Sequence, residues 1–192
     1  MAANFEIAQK HVAKWEGGLS DDKFDRGGIT KYGVSFEHLK DTAMTKKGAL
    51  ASIGIITPIT KDTIKNLTYE QAQSIFKMDY WIPCQCENMP LAIAVCVYDC
   101  AVNSGCSRSI KIIQKAYNRL FQNTPIAVDG IIGPKTLSAA SKLNSEDGIK
   151  AIVEERKKFY KAIVDNRPNQ RCFLKGWYNR VNDLEKYASS LL

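Results

Sequence analysis

Apolar positions at intervals of three and four recur along most of this chain and divide it into helices. Phe5, Ala8, Val12 and Trp15 mark one face of a first helix whose intervening Glu6, Gln9, Lys10 and Lys14 are polar. Gly17 stands where a left-handed C-cap residue is wanted, so this helix is expected to stop at Glu16. Val34, Phe36 and Leu39 predict a short helix over 34–40. Residues 41–60 mix apolar and threonine positions with Gly48, Gly54 and Pro58, which predicts loop or short strand. Thr68-x-x-Gln71 is a capping-box pattern opening a helix through Ile75 and Phe76 to Tyr80, closed by Trp81-Ile82-Pro83. Pro90 suits the first turn of the next helix, and residues 91–97 are apolar all round, the pattern of a helix at the centre of a fold. Ile110, Ile113, Ala116, Tyr117 and Leu120 give an amphipathic helix over 107–121, and Pro134 begins another that runs through Leu143. Two long helices close the chain near 148–166 and 170–190, Phe173, Trp177, Val181 and Leu184 being the buried stripe of the last. The fold class this predicts is mainly α, or α+β at most.

Composition adds bounds. A chain of 192 residues, 45% apolar and 24% charged, is long enough for one well-buried domain or a domain with a small appendage. No apolar run approaches the roughly 20 residues of a membrane span, so no transmembrane segment is expected. The start, MAANFEIAQK, shows no basic region followed by an apolar core; the expectation is synthesis in the cytoplasm without a signal peptide. Net charge is +7, and residues 150–192 contribute ten Lys/Arg against five Asp/Glu. A basic surface favours polyanions such as nucleic acid, anionic lipid or an acidic envelope. The basic residues of 154–167 interleave with Phe159, Tyr160 and Ile163 at helical spacing, which reads as a helix with one wet face and not as a nucleic-acid surface. The six cysteines, Cys84, Cys86, Cys96, Cys100, Cys106 and Cys172, lack paired C-x₂-C spacing and read as reduced, mostly buried thiols, not as a zinc site. Cysteine-peptidase chemistry needs a histidine partner, and only His11 and His38 are available.

The densest chemistry lies at the end of the first helix. Glu16 is followed by Gly17-Gly18, eight residues separate it from Asp25, and four more separate Asp25 from Thr30. An acid at the carbonyl end of a helix, beside Trp15, is pushed toward its protonated form, which is what a general acid requires. The same glutamate is also compatible with an ordinary solvated residue before a glycine cap. Fully extended, the steps from Glu16 to Asp25 span about 30 Å, too far for joint chemistry. Gly17-Gly18 and Gly27-Gly28 let the chain double back as a hairpin and bring two carboxylates across a cleft. Glycosidases use such a pair at roughly 5 to 9 Å, one protonating the leaving oxygen and the other stabilising the cation or activating water. Asp25 is equally compatible with a turn-forming role.

Glu-Gly-Gly followed by Asp-x-Gly-Gly-x-Thr-x-x-Gly resembles the signature of the glycoside hydrolase 108 family of phage-type muramidases, eight positions from Glu16 to Gly33 matching in order. It is also similar to the phage-lysozyme pattern of Glu, eight residues, Asp, five residues, Thr, with one residue fewer before Thr30. Leu19, Asp21 and Lys23 stand where the family usually carries Tyr, Asn and Pro. Asp99-x-x-Val102-Asn103-x-Gly105 matches a segment that lines the family's cleft, and Asp129-Gly130 through Gly133-Pro134-Lys135-Thr136 resembles peptidoglycan-binding modules.

The resemblance implies a lysozyme-like helical fold with a small β-hairpin or loop after the first helix. It divides the chain into a catalytic segment, 1–89, and a helical peptidoglycan-binding-like segment, 90–192, packed as one body. It implies a peptidoglycan hydrolase with Glu16, Asp25 and Thr30 as catalytic residues and Tyr32, Asp99, Asn103 and Lys135 as substrate-binding residues. Asn103 would lie near substrate with Asp99 as its support. No cofactor and no metal are implied. The expected partner is peptidoglycan and not nucleic acid, the chain is expected to be a monomer, and it would act on the cell wall or in the periplasm after release. Two other outcomes are compatible with the same residues: a lytic transglycosylase and a non-catalytic wall-binding protein.

Overall fold

The computed structural model describes residues 2–15 and 29–192. Helices α1 (Ala2–Ala13), α2 (Phe36–Ser52), α3 (Lys61–Lys65), α4 (Tyr69–Phe76), α5 (Leu91–Ser104), α6 (Cys106–Leu120), α7 (Pro134–Lys142), α8 (Glu146–Asn166) and α9 (Leu174–Ser189) are accompanied, among the described residues, by a two-stranded antiparallel sheet, β1 (Thr30–Lys31) and β2 (Val34–Ser35). The fold is mainly α, as the periodicity predicts. Packing groups it into two compact units, one joining the chain up to His11 with Tyr80–Leu192, the other Val12–Asp79.

In the first unit α5 is the centre. Its residues Ala92 to Ala101 are all buried, and α6, α8 and α9 pack around it. An apolar helix with no wet face is stable only under such cover. Phe5, Trp81 and Tyr98 meet edge to face with ring centroids 5.5–5.7 Å apart, and the Tyr98 hydroxyl donates to the Gln9 side-chain carbonyl. The ring burial and these edge contacts tie the N-terminal helix to α5. On α6 the stripe Ile110, Ile113, Ala116 and Tyr117 is buried as expected, whereas Leu120 at the last turn is exposed. The final helix departs from its expected start. Residues Pro168–Phe173 form a 3₁₀ segment before α9, Phe173 is exposed, and the buried face is carried by Val181, Leu184 and Ala188. Proline at the start of that segment removes a backbone donor and favours the tighter turn.

The second unit holds the hairpin, α2, α3 and α4. The hairpin turn is Tyr32-Gly33, both with positive φ (51° and 80°), the conformation that matches the twist of a two-residue hairpin loop. Glycine adopts it without cost, and Tyr32 is held there with its ring against Tyr69 at 5.5 Å. The sequence expectation for 34–60 is corrected: α2 runs on to Ser52, with a kink at Lys46. Leu39, Thr42 and Leu50 are its buried face, and Gly48 is a tolerated cost of roughly 1 kcal/mol on the exposed side. Ser35 caps α2 by accepting from the His38 N–H at 3.2 Å. Thr68 and Gln71 form the expected capping box of α4, which passes into a π-turn over Lys77–Trp81.

Candidate functional site

Glu16 and Asp25, the two expected carboxylates, lie outside the described residues, as do the glycine pairs Gly17-Gly18 and Gly27-Gly28. Their flanks are described. The expected stop of the first helix at Glu16 is corrected: α1 ends at Ala13, and the Trp15 N–H closes a tighter turn onto the Val12 carbonyl at 2.9 Å. On the other side Thr30 opens β1 and pairs with Ser35. Tyr32, two residues on, is half-buried in the hairpin turn with the Lys31 ammonium 5.4 Å from its ring centroid. Lys31 also donates to the Lys65 carbonyl at 2.7 Å, fixing the hairpin to α3. Thr30 and Tyr32 therefore sit on one rigid turn at the C-terminal edge of the carboxylate-bearing stretch.

Asp99 and Asn103 lie one turn apart on α5, and their surroundings differ sharply. Asp99 is fully buried, so it touches other protein groups and not solvent. Its Oδ1 accepts from Arg156 at 2.5 Å and its Oδ2 from Arg180 at 2.9 Å, while His11 Nε2 stands 3.7 Å away. Burial alone would raise the Asp99 pKa; the two guanidiniums and His11 outweigh it and hold the carboxyl below its usual range. Asn103 is exposed, and a relay joins it to the buried pair. Arg156 Nε donates to the Tyr160 hydroxyl at 2.8 Å, and that hydroxyl donates to Asn103 Oδ1 at 2.6 Å. Ser104 donates to the same oxygen at 3.0 Å. The amide oxygen of Asn103 is thereby fixed, and its N–H₂ donors remain available to a ligand.

The third group is the loop before α7. Lys135 is exposed and lines a hollow of about 400 Å³ with Ile126, Ala127, Ile131 and Pro134. Buried Gln114 of α6 organises this loop: its amide nitrogen donates to Asp129 Oδ1 (2.8 Å), Thr136 Oγ1 (3.1 Å) and the Ile131 carbonyl (3.2 Å), and its oxygen accepts from the Gly130 N–H (2.9 Å). The Ile131 N–H and the Gln114 amide stabilise ionised Asp129 and lower its pKa. Gly130, at φ 79°, approaches α6 so closely that a Cβ would meet Ser107 Oγ at 2.5 Å.

Gln114, Arg156, Tyr160 and Arg180 are the residues that sequence reasoning missed. The signal was a polar side chain on an otherwise apolar stripe. Arg156 falls in register with Ile149, Ile152, Val153 and Tyr160, and a guanidinium in such a stripe needs a buried acid.

The other titratable groups take structural roles. Asp79 accepts from His38 (2.9 Å), Thr42 (2.7 Å) and Lys46 (2.6 Å); burial would raise its pKa, and these partners lower it overall. Burial pushes the Cys96 thiol up to about 12 and raises Cys100 as well, which keeps both from the thiolate form that nucleophiles and zinc ligands need. Among the described residues no group of three or more His, Cys, Asp or Glu converges as a metal site, and no helix is long and apolar enough to cross a membrane.

The family model for glycosyl hydrolase 108 matches residues 9–105, half of the chain, across the Glu16–Gly33 motif and α5. The chain belongs to the glycosyl hydrolase 108 family. A second model, described as a predicted peptidoglycan domain, follows at residues 108–182. A glycosyl hydrolase 108 segment joined to a peptidoglycan domain makes this protein a glycoside hydrolase of peptidoglycan. It is similar to the solved structure of SagA from Brucella abortus, with 27% identity and a TM-score of 0.75 over 100% of this chain and 97% of that one. No curated protein matches it. Within this glycosyl hydrolase 108 protein the boundary between the two matches falls at the α5–α6 junction, and the Asp99 ion pairs run across it in sequence, from α5 to α8 and α9.

Proposed function

We propose that this glycosyl hydrolase 108 protein is a muramidase that cleaves the β-1,4 bond between N-acetylmuramic acid and N-acetylglucosamine. The observation that carries the reading is the family match over 9–105, a range that includes Glu16, Asp25 and Thr30. Glu16 protonates the departing glycosidic oxygen. Asp25 stabilises the positive charge that develops on the sugar, directly or through a water held by Thr30. Tyr32, at the rigid hairpin turn, and the Asn103 amide, oriented through Tyr160, Arg156 and Asp99, contact the sugars. Lys135 contacts wall beside the loop that Gln114 ties down. No cofactor takes part. Residues 1–89 supply the chemistry and 90–192 the hold on the wall. The protein is a monomer of the phage or prophage lytic type, made in the cytoplasm and released to the wall through a pore or a secretion machine.

Zymography on purified sacculi tests the reading. Wild type clears the wall, and Glu16→Gln lowers clearing by about a hundredfold to ten-thousandfold, the usual contribution of a positioned general acid, while its sedimentation with sacculi is retained. Product mass tests the reaction class: reducing-end muramic acid is expected, and a 1,6-anhydro end in its place would make the enzyme a lytic transglycosylase. Full biological effect in Glu16→Gln would leave a wall-binding protein without catalysis.

A further inference from the structure

Helices α6 and α8 enclose two adjoining hollows on the part of the chain matched by the peptidoglycan domain, and the Lys111 side chain borders Gly130 of the loop before α7. One, of about 390 Å³, is lined by Arg108, Phe159, Ala162, Ile163, Asn166 and Arg167. The other, of about 300 Å³, shares Arg108, Phe159 and Ala162 and adds Lys111, Ile112, Lys115, Glu155 and Lys158. The walls carry five cations against a single carboxylate. That carboxylate, Glu155, is already held by Lys158 at 2.6 Å and by Arg119 at 3.9 Å. Among the described residues Arg108, Lys111, Lys115 and Arg167 make no ion pair. Arg108, Lys111 and Lys115 are spaced three and four apart on α6, which bears no acid, so their charges line one edge for about 10 Å. The floor between them is apolar: Ile112, Phe159, Ala162 and Ile163.

We infer that this groove between α6 and α8 binds the carboxylate-bearing peptide stems of peptidoglycan, separately from the hydrolytic site. The inference rests on the proposed muramidase reading for its substrate. Cationic walls over an apolar floor match a short peptide that has free carboxylates and small alanine-type side chains. Arg108 supports this: its guanidinium lies 4.6 Å from the Phe159 ring centroid, which fixes the planar fork and leaves its N–H groups for a carboxylate. Docking stems here places the grip on the peptide, leaving the glycan strand to the acid at position 16.

The test uses full-length protein with intact sacculi and with bead-coupled glycan strands that an amidase has stripped of stems, binding being read by sedimentation at low and at physiological salt. Arg108→Gln/Lys111→Gln/Lys115→Gln is compared with wild type, and Lys111→Gln/Lys115→Gln guards against loss of the Arg108–Phe159 contact. Melting temperature reports whether each variant folds. Wild type is expected to lose about tenfold in affinity on stripping, the triple variant to lose about the same on intact sacculi, and the two losses not to add. Equal binding of intact sacculi by wild type and by both folded variants would overturn the inference. So would a variant defect of the same size on the stripped, bead-coupled strands, or competition by duplex DNA that matches competition by free stem peptide at equal charge. Zymography of Glu16→Gln run alongside separates the two readings. Loss of clearing with no groove effect sinks only the groove, and a wild type that binds in the groove-dependent way without clearing sinks only the muramidase.

Discussion

Asp99 is where a single side chain controls the most. It is fully buried with two arginines and a histidine around it, and removing the negative charge leaves two guanidiniums in the interior without compensation. Asp99→Asn is expected to cost about 3–5 kcal/mol, the range for breaking a buried pair from one side, measured by urea unfolding at pH 7. The sign of its pH dependence follows from the depressed folded-state pKa. Stability from this carboxylate is fully present above the unfolded-state value near 3.9 and is lost as pH falls through the lower folded value. The difference between wild type and Asp99→Asn is therefore expected to stay constant from pH 7 down to about 5 and to narrow below about pH 4. A gap of the same size at pH 2 would show that the ion pairs are not its source. Tyr160→Phe is the finer probe. It removes the hydroxyl between Arg156 and Asn103, and a rise in KM on soluble glycan at little change in kcat is expected if Asn103 contacts sugar in the ground state.

At the scale of elements, two turns depend on a glycine at positive φ. Gly33 completes the hairpin at φ 80°, and Gly33→Ala is expected to destabilise by about 1 kcal/mol through the left-handed backbone alone. Gly130 combines positive φ with contact against α6. Gly130→Ala should therefore cost more than Gly33→Ala and should also weaken sacculus binding, since the Asp129–Thr136 loop must move. Equal melting temperatures for the two variants would show that the close approach to Ser107 relaxes freely. Most of these elements were legible as patterns: the capping box at Thr68 and Gln71, the apolar run of α5, and Pro134 opening α7 are all local rules. The continuation of α2 to Ser52 was not. Its 41–52 stretch contains a glycine and two threonines, and only the burial of Thr42 and Leu50 against neighbouring elements decides for helix.

For the whole molecule, the family boundary and the packing boundary do not coincide. The glycosyl hydrolase 108 match ends at residue 105, yet α5, which it contains, is covered by α6, α8 and α9. A fragment of residues 1–105 would expose an apolar helix on all sides and leave Asp99 without Arg156 and Arg180. Such a fragment is expected to lack cooperative unfolding by circular dichroism, and adding residues 106–192 in trans should restore part of the helical signal. A stably folded, monomeric 1–105 would show that the C-terminal helices are an appendage and not part of α5's core.

What the sequence alone determined is everything set by spacing within a few turns: the helices, the central position of the apolar one, and the order of acid, glycines, acid and hydroxyl that marks the family. What only the tertiary structure decided is which distant residues complete those elements. Nothing near Asp99 in sequence announces Arg156 and Arg180, and nothing near Asp129 announces Gln114. Helical periodicity is a local property with a repeat of 3.6 residues, while charge neutralisation and hydrogen-bond closure are settled between whichever groups the packed helices bring within about 3 Å.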